Sequence, residues 1–150
     1  MRFDPTITSV LDALAQHMHD ENVATFSSDG VYAATVTRPA IYFGRLVDSP
    51  DRAVAINHYW TDPDWTTHEH HPCMRVQLRW RGDRDPRTVH TLADAGFAAL
   101  HTLTPGPWPG GLHPLKVQRI LVAPIEPDSN GRWMRCDSYE IRLNPGAQHG

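Results

Sequence analysis

The chain has 150 residues, a length that suits one domain able to bury a core without disulfide or metal staples. With 40% hydrophobic and 21% charged residues it reads as globular, neither disordered nor coiled-coil-like. A formal charge of −3 argues against a protein held on duplex nucleic acid by counterion release, and no apolar run approaches the roughly 20 residues that span a bilayer.

In chain order, the opening residues lead into a charged, helix-like segment, so no export signal is expected. Asp4 as cap and Pro5 at the first helical position predict a first helix, with Ile7, Val10, Leu11, Leu14 and Met18 on one apolar face. Ser28-Asp29-Gly30 supplies turn chemistry, and residues 31–36 and 40–47 read as short strands split by Arg38-Pro39. After a turn at 48–51, residues 53–59 form the next expected strand. Residues 60–72 lack periodicity and read as a long loop.

From Met74 to Arg81 the alternation is strict: Met74, Val76, Leu78 and Trp80 face one way, and Arg75, Gln77, Arg79 and Arg81 the other. Asp85 as cap and Pro86 behind it predict a second helix, with Val89, Leu92, Ala93, Gly96, Phe97, Leu100 and Leu103 on one stripe. The Pro- and Gly-rich stretch 104–114 reads as a stiff loop. Residues 115–125 and 133–143 read as strands joined by Pro127-Asp128-Ser129-Asn130-Gly131, where Asn-Gly favours a tight hairpin turn. Strands cluster around one helix instead of alternating with helices. The expected fold is therefore α+β: a mostly antiparallel sheet of about five to six strands packed by two amphipathic helices. It is read as a single domain over 1–150, with a flexible C-terminal tail from about residue 144.

The richest chemical stretch is His68-Glu69-His70-His71-Pro72-Cys73. Three readings stay open: a metal site from His68, His70 and Cys73, a solvated pH-sensitive loop, or a partner contact. The spacing fits neither the HExxH helix of zinc proteases nor the deaminase pattern, so no metal ligand is assigned. No nucleophile elbow, phosphate loop or dinucleotide fingerprint is present, so no catalytic or cofactor-binding residue is assigned and the chain is read as a non-enzyme. Cys73 and Cys136 lack CxxC spacing and read as reduced thiols. The Asp residues of the turns read as turn formers. The Arg stripe is either a solvated sheet face or a protein contact. Trp60, Trp65 and Trp108, outside the periodic elements, read as local lids or docking residues.

The run from Ile41 to Ile56, with Gly44-Arg45-Leu46 and Ser49-Pro50-Asp51-Arg52-Ala53-Val54, resembles a passage of the minor capsid or tail terminator proteins of long-tailed bacteriophages. The strand from Pro72 to Gly82 is similar to that family's "R-P-x-V-Q-V-R-x-R-G" strand. Ala98-Ala99-Leu100-His101-Thr102-Leu103 resembles the end of its second helix, and Asp128-Ser129-Asn130-Gly131-Arg132 with Tyr139-Glu140-Ile141-Arg142-Leu143 its closing hairpin. The resemblance spans residues 5–143 and is densest over 41–82; the loops at 60–71 and 104–114 are longer than is usual in the family.

The resemblance implies a structural subunit of the virion neck, assembled in the host cytoplasm, that forms a ring of six copies. The ring caps the head-proximal end of the tail tube, stops polymerisation and offers a face to the head-tail connector protein. It implies no cofactor, no membrane and no sequence-specific nucleic acid, although DNA can pass through the ring. The candidate interface residues are Arg45, Trp60, Trp65, Arg75, Arg79, Arg81 and Trp108. The alternatives are another phage neck or head-completion protein, and a small metal-dependent enzyme built on residues 68–73.

Overall fold

The structure, a computed structural model, describes residues 6–63 and 71–143. Helix α1 spans Ile7–Asp20. Its cap is Thr6 and not Asp4, which lies with Pro5 outside the described residues. Thr6 Oγ1 accepts from Ser9 N at 3.1 Å, and Thr6 N donates to Ser9 Oγ at 2.9 Å. This reciprocal box satisfies two of the helix's free donors and so sets its start. Val10, Leu14 and Met18 are buried as expected, together with Ala13 and Ala15, while Ile7 and Leu11 pack at the margin of the core.

The six strands are β1 (Ala40–Phe43), β2 (Ala53–Thr61), β3 (Cys73–Arg81), β4 (Pro114–Val122), β5 (Glu126–Pro127) and β6 (Trp133–Leu143), with α2 (Pro86–Leu100) between β3 and β4. The sheet order is β1-β2-β3-β6-β4, with β5 paired to β6. All pairings are antiparallel except β1 with β2, so the sheet is mixed and the fold is α+β.

Residues 31–36 form no strand. Val31 is 71% exposed, and the parallel bridge beside β1 is made by Thr25 with Ala40. Val31, Ala33 and Ala34 are exposed and only Tyr32 and Val36 are half-buried, with the Tyr32 hydroxyl donating to Ile41 O, so the segment is held by a side chain and not by a ladder. The second expected strand ends early, at Phe43, because Gly44 takes φ 90° and turns the chain. Its N–H closes the strand end on Ile56 O at 3.0 Å.

Asp85 caps α2 by accepting from Arg87 N at 3.0 Å, with Pro86 in the first turn. The helix stops at Leu100, since His101 is extended and Thr102 bridges to Val117 of β4. Leu103 is therefore off the apolar stripe and 68% exposed. Gly96 sits where a Cβ would fall 2.4 Å from the Trp80 ring, so the helix can lie on the sheet only with glycine there. In the last hairpin only Gly131 takes positive φ, and its N–H returns to Asp128 O at 3.1 Å; Asn130 does not adopt the left-handed conformation.

The register sorts the sheet into two faces. One row runs Phe43, Ile56, Leu78, Asp137, Val122, and its neighbours run Ile41, Val54, Trp80, Arg135 and Met74, Ile141, Val117. These rows lie on the face that α1 and α2 cover, where the core forms. The alternate rows are Tyr42, Ala55, Arg79, Cys136, then Asn57, Gln77, Ser138, Leu121, then Trp60, Arg75, Glu140, Gln118. No helix packs on that side among the described residues.

Candidate assembly surface

The uncovered face is built by period-2 alternation on β3 and β6, and its polar side chains come together from both strands. Arg75 donates from Nε to Glu140 Oε2 at 3.0 Å, and its guanidinium lies 4.6 Å from the ring centre of half-buried Trp60. Trp60 reaches it because a bulge between His58 and Trp60 shifts the β2 register. Arg142 lies 3.9 Å from the same Glu140 and donates to His71 O at 2.8 Å. The side chains of Arg79 and Lys116 have no hydrogen bond or ion pair among the described residues. Glu140 is thus shared by Arg75 and Arg142, and with Arg79 and Lys116 the described residues of this face's β3, β6 and β4 rows carry more cations than carboxylates, on a chain of net charge −3.

Arg81 departs from the expected outward stripe: it is 3% exposed. Its guanidinium donates to the carbonyls of Val47, Pro50 and Asp51, each at 2.7 Å. The cause is topological. Because β1 and β2 are parallel, residues 44–52 must return across the end of the sheet, and their carbonyls have no ladder partner there. Arg132, also buried, closes the same loop through Asp48 and Asp51 and holds Asp128 from Nε at 2.8 Å. Burial, and then the neighbouring charge of Arg132, lower the Arg81 pKa, against which Asp128, Asp51 and Asp48 act. Asp48, Asp51 and Asp128 thus do more than form turns.

The remaining candidates separate further. Trp108 is 4% exposed, stacks on His17 at 5.0 Å between ring centres, and donates its backbone N–H to Leu112 O at 2.8 Å. It is a local lid of the loop before β4. Burial lowers the His17 pKa, partly offset by Glu21 and Asp20. Arg45 is exposed in the return loop. Trp65, with His68 and His70, lies outside the described residues. Burial raises the thiol pKa of both Cys73 and Cys136, which keeps them protonated.

A buried charge network under α2 escaped sequence reasoning. Arg135 forks onto Asp137 at 2.8 and 2.9 Å and reaches Asp94 Oδ1 at 3.0 Å, with His90 Nδ1 at 2.9 Å. Arg119 Nη1 lies 3.6 Å from Asp137 Oδ2, and its guanidinium covers the Phe97 ring at 3.9 Å. The available signal was the phase of β6, where Arg135 and Asp137 share a face with Tyr139, Ile141 and Leu143. Charges in phase with a core stripe require buried partners.

None of these clusters pairs a nucleophile with a base, and no group of three or more metal-ligating side chains converges among the described residues. Residues 17–145 match the family model of the bacteriophage tail terminator protein. The chain belongs to that family. Among curated proteins, none matches the chain significantly. The family assignment covers the whole sheet and α2, and agrees with the resemblance carried by 41–82. The match assigns the chain to the proteins of the phage tail.

Proposed function

We propose that the protein forms a closed ring, of six copies, on the head-proximal end of the tail tube, where it stops polymerisation and receives the head-tail connector protein. The observation that supports this best is the basic, helix-free sheet face carrying Arg75, Arg79, Arg142 and Lys116. A sheet face on which no helix packs among the described residues can serve as a contact surface, and an excess of one charge selects a partner of the other. On this reading the face meets acidic groups of the last tube ring, while the capping subunit does not reproduce the tube's own growth surface. It takes no cofactor and binds no membrane, and DNA passes through the ring without sequence-specific contact.

Phage lacking this protein should make filled heads and separate, overlong tails. Knockout tails of normal length that still join heads would overturn the reading. Normal tail length with heads that fail to close would instead favour a head-completion role.

A further inference from the structure

Beside the outer edge of β1 lies an open groove of about 500 Å³ between α1, Phe26, Phe43 and the loop before β4. Its walls are held by the chain itself. Phe26 donates its N–H to His19 Nδ1 at 3.1 Å and meets Phe43 edge to face at 5.9 Å. The loop wall is closed by Trp108 N on Leu112 O at 2.8 Å, with Trp108 stacked on His17. The groove is therefore preformed, and it leaves Phe43 44% exposed. Asp12 is its only charged lining residue, and that carboxylate has no hydrogen bond or ion pair among the described residues.

One segment of the chain joins the fold at the end of this groove. Thr6 caps the helix whose Ser9, Asp12 and Ala13 line it, so residues 1–5, outside the described residues, enter beside the α1 wall. They read Met-Arg-Phe-Asp-Pro. Pro5 biases Asp4 to extended backbone, and an extended chain advances about 3.3 Å per residue, so Phe3 can stand about 10 Å from Thr6. Along the helix, at roughly 1.5 Å per residue, Asp12 lies about 9 Å from Thr6. A segment that turns back along α1 thus brings Phe3 to the aromatic wall and Arg2 to Asp12. The remaining charge also finds a place. Asp4 then lies beside the first turn of α1, which carries no acidic residue and whose free N–H groups favour an anion.

We propose that residues 1–5 fold back along α1 of their own chain as a strap over this groove, with Phe3 against Phe26 and Phe43 and Arg2 paired with Asp12. The strap takes an apolar surface out of water in the free subunit. The inference is intramolecular and does not depend on the ring or capping reading.

The test uses the full chain without an N-terminal tag. Phe3→Ala should lower the melting temperature by about 2–4 °C and raise the fluorescence of the uncharged apolar dye Nile red on the folded protein severalfold. Asp12→Arg should raise the dye signal in the same direction, and Arg2→Asp combined with Asp12→Arg should bring it back to the wild-type level. The deciding measurement is a disulfide. Under oxidation, Arg2→Cys with Asp12→Cys should link within one chain, read by mass on the monomer, which neither single cysteine does. Adding Phe3→Ala to this pair should slow the link severalfold. No link within one chain, or a link whose rate ignores Phe3→Ala, overturns the strap, since the second result is chance encounter of a loose segment. A link between two chains also overturns it and assigns the groove to the segment of a neighbouring copy. Dye that binds wild type and Phe3→Ala alike and is displaced by purified tail tubes overturns it in favour of a tube segment.

Discussion

At one end of the uncovered sheet face, Arg81 and Arg132 are buried and donate to the chain's own return loop; in its middle, Arg75, Arg79 and Lys116 look outward. Arg79 and Arg81 are two residues apart on one strand, on one face, and identical in chemistry. What separates them is the parallel pairing of β1 with β2, which lays residues 44–52 over one and leaves the other bare. An arginine near a parallel crossover is a candidate clamp for orphan carbonyls before it is a candidate for a partner.

The comparison is broken most severely on the covered side, at Asp137, which is fully buried between Arg135 and Arg119. Replacing it by Ala leaves buried Arg135 with only the exposed Asp94 as counter-charge and Arg119 with none among these contacts; breaking a buried pair typically costs about 3–5 kcal/mol, and the Asp94 contact puts the expected loss near the lower end. Urea unfolding of Asp137→Ala should show that loss; a midpoint within error of wild type would mean water replaces the carboxylate and the network is not structural.

Arg81→Ala comes next. It removes the donor for three loop carbonyls at once, and an unsatisfied buried polar group costs about 1–3 kcal/mol. The expected stability loss is about 2–3 kcal/mol after partial entry of water. Arg81→Lys should recover little of it, because an ammonium's three donors radiate from one nitrogen, whereas the planar guanidinium reaches these carbonyls from two, Nε and Nη2. Full rescue by Lys would reduce the clamp to a simple charge effect.

The sequence made the strands of regular period legible. Met74 to Arg81 alternates without exception and became the centre of the sheet, and Asp85-Pro86 opened α2 where expected. What it left out was pairing. Residues 31–36 carry a β-like pattern, but Thr25 took the edge of β1, and a period of two names a face without naming a neighbour. The same limit hid the fate of Arg81, whose outward phase on β3 was read correctly and whose cover came from another segment. Trp108 was legible as a loop tryptophan, but its docking on His17 depends on α1 lying beneath the loop. The basic patch around Arg75 was half legible: β3 showed the arginines, while Glu140, Arg142 and Lys116 joined only through the β3, β6 and β4 register.

Acid probes the covered side through the His17–Trp108 stack. Burial holds the His17 pKa below 6.5 in the folded protein. Between that lowered value and 6.5 the unfolded chain binds more protons than the folded one, so stability is full above 6.5 and falls as pH drops through this window. Stability measured from pH 7.5 to 5 should decline less steeply in His17→Gln than in wild type. Equal slopes would assign the acid sensitivity to other histidines.

The smallest effect on folding is expected where the comparison predicts the largest effect on assembly. Arg75 is 39% exposed and its partner Glu140 is 16% exposed, but Glu140 keeps Arg142 at 3.9 Å when Arg75 is removed, so the net loss is expected to stay near the roughly 0–1 kcal/mol of a surface pair, at about 1 kcal/mol. Arg79 has no pair among the described residues to lose. The double variant Arg75→Ala with Arg79→Ala should therefore unfold within about 1 kcal/mol of wild type. Charged contacts that become desolvated at an interface cost about 2–5 kcal/mol when truncated, so the same variant should bind tail tubes at least tenfold more weakly. Folding and assembly then separate on one strand, with Arg81→Ala losing the first and Arg75→Ala with Arg79→Ala the second. If the double variant caps tubes as well as wild type does, the open face is only a solvated one. If it unfolds as readily as Arg81→Ala, the division of this face into clamp and contact is wrong.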